Sequence, residues 1–174
     1  MWKSSCKRAA RCAALFVWAA AAVITVSVTA VPTVSAKMKT DRLVVEAANG
    51  AAPPRTIAIE VAETDEEKAL GLMFRTQLGD DQGMLFAYGD IHEMTMWMRN
   101  TYISLDMVFI NADGVIHRIE QSAEPLSDRV ISSEGPVAAV LELAGGAAQR
   151  LGIKPGDRVV HALFQAAGGA AKAK

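Results

Sequence analysis

The residues best equipped for chemistry crowd into a short stretch. Trp97, Arg99, Asn100, Thr101 and Asp106 lie close together, with Arg75 upstream. An indole for stacking, amide and hydroxyl groups for hydrogen bonding, and a guanidinium opposite a carboxylate suit a sugar, a peptide end or another small polar ligand. Asn100-Thr101 falls between two apolar runs, at a strand end where side chains can face a ligand. In the run that follows, Ser104, Asp106 and Val108 alternate with Ile103, Leu105, Met107 and Phe109. A carboxylate carried into such a strand needs a partner if it is buried, and Arg75 or Arg99 could supply one. Two readings follow from the same residues. In one, Asn100 and Thr101 make a turn and Asp106 sits in a structural ion pair or is hydrogen-bonded to turn amides. In the other, these groups border a small polar pocket roofed by Trp97. A third role, Asp106 as the base of a hydrolase or lyase, requires a raised carboxyl pKa beside an open cleft.

A second set is His92 with Met94, Met96 and Met98. Six of the eight methionines fall between Met73 and Met107. Thioethers at alternate positions on one strand face, with an imidazole nearby and a Trp ring adjacent, are ligands for Cu(I) or Ag(I). That would make a soft-metal chaperone. The plainer reading is that methionine fills cores and that alternation turns these three inward. The other histidines, His117 and His161, have no ligand spacing and read as sheet-margin residues. A three-histidine zinc site would have to be assembled by folding. Beyond residue 36 there is no Gly-x-Ser-x-Gly, no Ser-x-x-Lys, no glycine-rich phosphate loop and no cysteine, so no cysteine nucleophile, disulfide or thiolate metal site is expected there. No cofactor is expected.

The elements that must position these groups are short. Leu43 to Glu46 and Thr56 to Val61 read as strands, the second by its period of two. Thr64-Asp65-Glu66-Glu67 is a capping box opening a short helix, and Gly71 on that helix suggests close packing against another backbone. Gly83 to Tyr88, Met94 to Arg99, Ile103 to Ile110, Val115 to Glu120, Val137 to Leu143 and Val159 to Leu163 read as further strands. Asn111 to Gly114 is a hairpin connection with glycine where positive φ is needed. Ala147 to Leu151 reads as a helix ended by Gly152, and Lys154-Pro155-Gly156-Asp157 as a type II turn. About eight strands with two short helices predict a mainly β fold, an antiparallel jelly-roll-like sandwich or barrel.

Several of these motifs carry a resemblance. They are Gly71-Leu72-Met73-Phe74-Arg75, Gly83-Met84-Leu85-Phe86, Met96-Trp97-Met98-Arg99-Asn100-Thr101, the run Ile103 to Ile110, and Leu151 to Val159. From about Leu43 to Phe164 the chain closely resembles the prokaryotic domain-of-unknown-function family 192. The resemblance implies a compact, mainly β, jelly-roll-like domain, often behind a signal peptide, and no settled activity. Members more often carry an aromatic residue before Trp-Met, where this chain has Met96. The copper idea would thus be peculiar to this chain.

Hydrophobic residues make up 51% of the 174 and charged residues 21%, which excludes a disordered chain. The charge is divided unevenly. Lys3, Lys7, Arg8 and Arg11 are the only charges before Lys37, and an uncharged stretch runs from Ala13 to Val31. Pro32 and then Val34-Ser35-Ala36 follow, the pattern of a secretory signal cut after Ala36. Left uncut, the same stretch would be a membrane anchor. The expected organisation is a signal peptide over 1–36, a polar leader over 37–42, one β-rich domain over 43–164 and a loose tail over 165–174. Without its first 36 residues the chain carries 14 Lys and Arg against 19 Asp and Glu, a net of −5. That sign argues against nucleic acid as a partner. The expectation is a periplasmic or secreted domain that meets a small polar ligand or an envelope protein, and meets the membrane only if the signal stays uncleaved.

Overall fold

The computed structural model describes residues 38–164. The expected signal segment with its cleavage site, and the tail from residue 165, lie outside the described residues. The elements are β1 (Lys39–Glu46), β2 (Arg55–Ala62), α1 (Asp65–Leu70), β3 (Gln82–Met96), β4 (Leu105–Ile110), β5 (Ile116–Ala123), β6 (Ile131–Ala144), α2 (Ala147–Leu151) and β7 (Arg158–Val160). A further helical turn begins at Ala162.

All seven strands belong to one sheet, in the order β5-β4-β6-β3-β2-β1-β7. The fold is therefore mainly β as expected, but it is not a sandwich of two facing sheets. It is also not wholly antiparallel, because β2 and β3 run parallel. The physical reason lies in the connection. Parallel neighbours need a long crossover, and residues 63–81, with α1 at their start, return the chain to the same end of the sheet. The capping box is present in full. Thr64 Oγ1 accepts from Glu67 N at 3.2 Å, and Glu67 Oε2 accepts from Thr64 N at 3.0 Å. Gly71 caps the helix with φ 50° and ψ −137°, a conformation side chains disfavour. A Cβ there would lie 3.1 Å from the Phe86 ring, so its close neighbour is a side chain rather than a backbone.

The sheet curls until its two edge strands meet. Val115, just before β5, bridges Arg158 of β7. Val159 N donates to Gly114 O at 2.7 Å, and Ile116 N to Asp157 O at 2.8 Å. Gly114 has φ 83°, and a Cβ on it would stand 2.6 Å from Val159 O. Both the turn and the seam thus demand glycine at this position.

Curling gives the sheet two buried faces. The inner face gathers Leu43, Ile57, Leu85, Val108, Ile110 and Leu141 among others. The outer face gathers Met84, Phe86, Met94, Met98, Met107 and Phe109, with Leu72 packed among them. Alternation along each strand sorts the residues. Leu85 and Val108 point one way, and Met84, Phe86, Met107 and Phe109 the other. This is why every residue of β4 is buried. The two methionine-bearing segments expected as separate strands are one long β3, bent by register shifts between Ala87 and His92 and between Glu93 and Thr95. Trp97, Met98 and Arg99 lie beyond its end.

Candidate functional site

Three buried acids decide where chemistry is available. Asp106 is fully buried in β4. Its Oδ1 accepts from Ser122 N at 2.7 Å and Gly146 N at 2.9 Å, and its Oδ2 accepts from Ala148 N at 2.9 Å. It thereby caps α2, whose own N-cap residue, Gly146, offers no side chain, and it holds Ser122 at φ 49°. Asp157 is 2% exposed and accepts from Ala48 N at 3.1 Å and Lys154 N at 3.0 Å. Both acids are anchors for backbone amides.

Glu142 differs. It stands in β6 opposite Met84 of β3 and Met107 of β4, on the outer face, and is 4% exposed. Its Oε2 meets no hydrogen-bond partner among the described residues. Burial pushes its carboxyl up to about 8, so at neutral pH it is mostly protonated. Beside it lies a cavity of about 250 Å³, which Glu142 lines together with Phe86, Tyr88, Met96, Trp97 and Thr101. Residues 68–73, the end of α1 and the turn after it, also line it. Tyr88 is pushed up to about 12, chiefly by burial and then by the charge of Glu142. Its hydroxyl donates to Met96 Sδ at 3.8 Å. The Lys68 ammonium sits at the edge, 5.4 Å from the Tyr88 ring centroid.

Of the residues singled out from the sequence, Trp97 and Thr101 border this cavity and the others do not, Met96 of the methionine set excepted. Trp97 is 48% exposed, with the Arg99 guanidinium 5.8 Å from its ring. Arg99 pairs with Asp128 at 2.7 Å. Asn100 is a turn residue at φ 57°, and its carbonyl accepts from Phe74 N at 2.8 Å. Arg75 pairs with Glu60 at 2.6 Å, not with Asp106. It lines a second hollow of about 710 Å³ over β1 and β2. That hollow is larger but more open; of its charged walls Arg75 has Glu60, Asp41 lies 3.4 Å from His161, whose Nε2 makes no hydrogen bond, and Arg42 makes no side-chain ion pair among the described residues. We place the site at the smaller cavity because a buried polar atom in its wall is left without a partner. Asp106, enclosed and accepting three amides, has no open face toward a substrate.

The soft-metal set is divided between core and surface. Met94 and Met98 are buried in the outer core, Met96 is half-buried at the cavity, and the His92 side chain is about half exposed beside Asp90. No group of three or more His, Cys, Asp or Glu side chains able to hold a metal occurs among the described residues. His117 is exposed, and His161 accepts from Leu163 N at the sheet margin. The sequence reading passed over Glu142. Its signal was a single acid in the run Val140-Leu141-Glu142-Leu143, at a position that alternation places on the same apolar face as Val140.

The model of the family DUF192, described as Uncharacterized ACR, matches residues 44–161. The chain belongs to this family. Two solved structures resemble this DUF192 chain. One is a proposed transcription regulator from Sinorhizobium meliloti 1021, 41% identical, with a TM-score of 0.70 over 73% of this chain and 97% of that one. The other is a protein of unknown function from Novosphingobium aromaticivorans DSM 12444, 42% identical, with a TM-score of 0.68 over 76% of this chain and 91% of that one. No curated protein matches the chain.

Proposed function

We propose that this DUF192 chain is an exported binding domain of the cell envelope, and that its ligand is a small molecule with an apolar body and one polar head. The observation that carries the reading is the unpartnered Oε2 of Glu142 in the wall of a 250 Å³ cavity. A buried polar atom without a partner costs about 1–3 kcal/mol, and a ligand that meets it recovers that cost. The surrounding rings and thioethers suit an apolar body, and the exposed Trp97 stands at the entrance. Export is supported by the basic start, the uncharged stretch and the Val34-Ser35-Ala36 step. The net charge of −5 beyond residue 36 supports a small-molecule partner over nucleic acid.

Two measurements test the proposal. Expressed in a Gram-negative host, the protein is expected in the periplasmic fraction with Lys37 as its first residue; recovery in the cytoplasm with the N-terminus intact removes the export half. In an NMR screen of small polar fragments, binders should perturb Tyr88, Met96, Trp97 and Glu142 together. A screen whose binders all land elsewhere, or that yields none, removes the binding half.

A further inference from the structure

We infer that the polar head recognised in the Glu142 cavity is a small organic cation, an ammonium or guanidinium group, and that its entry expels the proton of Glu142 to solvent. The inference rests on the binding reading above and adds the ligand class. It follows from which hydrogen-bonding capacity around the cavity is in use and which is free. The two inner hydroxyls are engaged as donors, Tyr88 to Met96 Sδ at 3.8 Å and Thr101 to the Arg99 carbonyl at 3.4 Å. The free group deep inside is an acceptor, Glu142 Oε2. A head that donates is therefore matched, and a cationic one gains most because it meets the ionised carboxylate; the donors that line the cavity without a hydrogen-bond partner among the described residues, on Lys68, Thr95 and Trp97, belong to exposed or half-buried residues rather than to its deep wall.

The walls agree with this. The rings of Phe86, Tyr88 and Trp97 and the thioethers of Met73 and Met96 present electron-rich surfaces, against which a cation is held by quadrupole and polarisation. The chain supplies its own example, since the Lys68 ammonium already stands against the Tyr88 ring. Lys68 also lies 4.0 Å from Asp65, which offsets its charge at the rim.

The titratable groups around Glu142 are few. Tyr88 on β3 and Lys68 on α1 line the same cavity. On β4 the residue opposite is Met107, and the neighbouring Asp106 is committed to backbone amides. Glu142 thus carries the proton exchange alone. Its raised carboxyl keeps the empty site nearly neutral, and a cation stabilises the ionised form.

The test uses the full chain, Trp97 fluorescence and three probes of equal body: n-butylammonium, n-butanol and butyrate. Trp2 and Trp18 also emit, so the Trp97→Phe variant identifies the signal that belongs to the cavity. Butylammonium is expected to bind best, its affinity rising about tenfold per pH unit between pH 6 and 7.5 and levelling above about 8. In Glu142→Gln the slope should vanish and the ammonium affinity fall at least about tenfold, with n-butanol changed less than about twofold. If butanol or butyrate binds as well as butylammonium, or if the pH slope is flat, the cation inference fails and the pocket reading stands. If none of the three moves the Trp97 signal, both fail.

Discussion

Replacing Glu142 by Gln keeps the shape of the side chain and removes its proton equilibrium. In the wild type the carboxyl is raised from 4.5 to about 8 by burial. Between those values the folded chain holds a proton that the unfolded chain has released, so stability falls as pH rises. The slope is about 1.4 kcal/mol per pH unit. From pH 5 to pH 8 that accumulates to about 4 kcal/mol, an upper figure because water entering the cavity softens the desolvation. The amide of the variant has nothing to ionise, and the other groups cancel in the difference between the two proteins. Urea unfolding followed by far-ultraviolet circular dichroism at half-unit steps of pH measures that difference directly. Near pH 5 the two should agree within about 1 kcal/mol. By pH 8 the Glu142→Gln variant should be the more stable by about 2–4 kcal/mol. A difference that stays constant across the range would mean that Glu142 is not buried as an acid, and the account of the cavity would fall with it.

Three other perturbations follow from the geometry. Asp106→Asn replaces the acceptor of the Ala148 amide by a donor and should cost about 2–3 kcal/mol in urea unfolding, while the Trp97 response to cavity ligands in the folded fraction stays as it was. Gly71→Ala places a Cβ 3.1 Å from the Phe86 ring at positive φ and should cost about 1–2 kcal/mol; an unchanged unfolding midpoint would contradict the assigned helix end. Titration with Cu(I) should give no complex tighter than micromolar, because Met94 and Met98 are enclosed, and a tighter complex lost in Met96→Leu would restore the metal reading.

What the sequence disclosed was local. The Thr64 capping box, the Gly114 connection and the Lys154-to-Asp157 turn each depend on a few consecutive residues, and each is present. The alternation of β4 was legible for the same reason. The parallel pairing of β2 with β3 was not, because it is set by where a long crossover returns. A buried Asp106 was legible as needing a partner, either an ion pair or turn amides, and backbone amides supply it. Those amides come from residues 122, 146 and 148, and no spacing announces them. Glu142 escaped because a lone acid in a strand reads as surface until both neighbouring strands are known to be apolar at the same level. Arg75 and Asp106 are natural partners by charge alone; the fold gave Arg75 to Glu60 instead.

The sheet closes through one bridge, at Val115 and Arg158, while β3 and β6, which frame the cavity, sit in its middle and pair along most of their length. Thermal breathing should therefore start at the seam: the amides of Ile116 and Val159 are set to exchange with solvent before those of Phe86 and Leu141. Such a molecule can loosen its rim without disturbing the chamber beside Glu142, so the cavity keeps its shape even in the partly opened state.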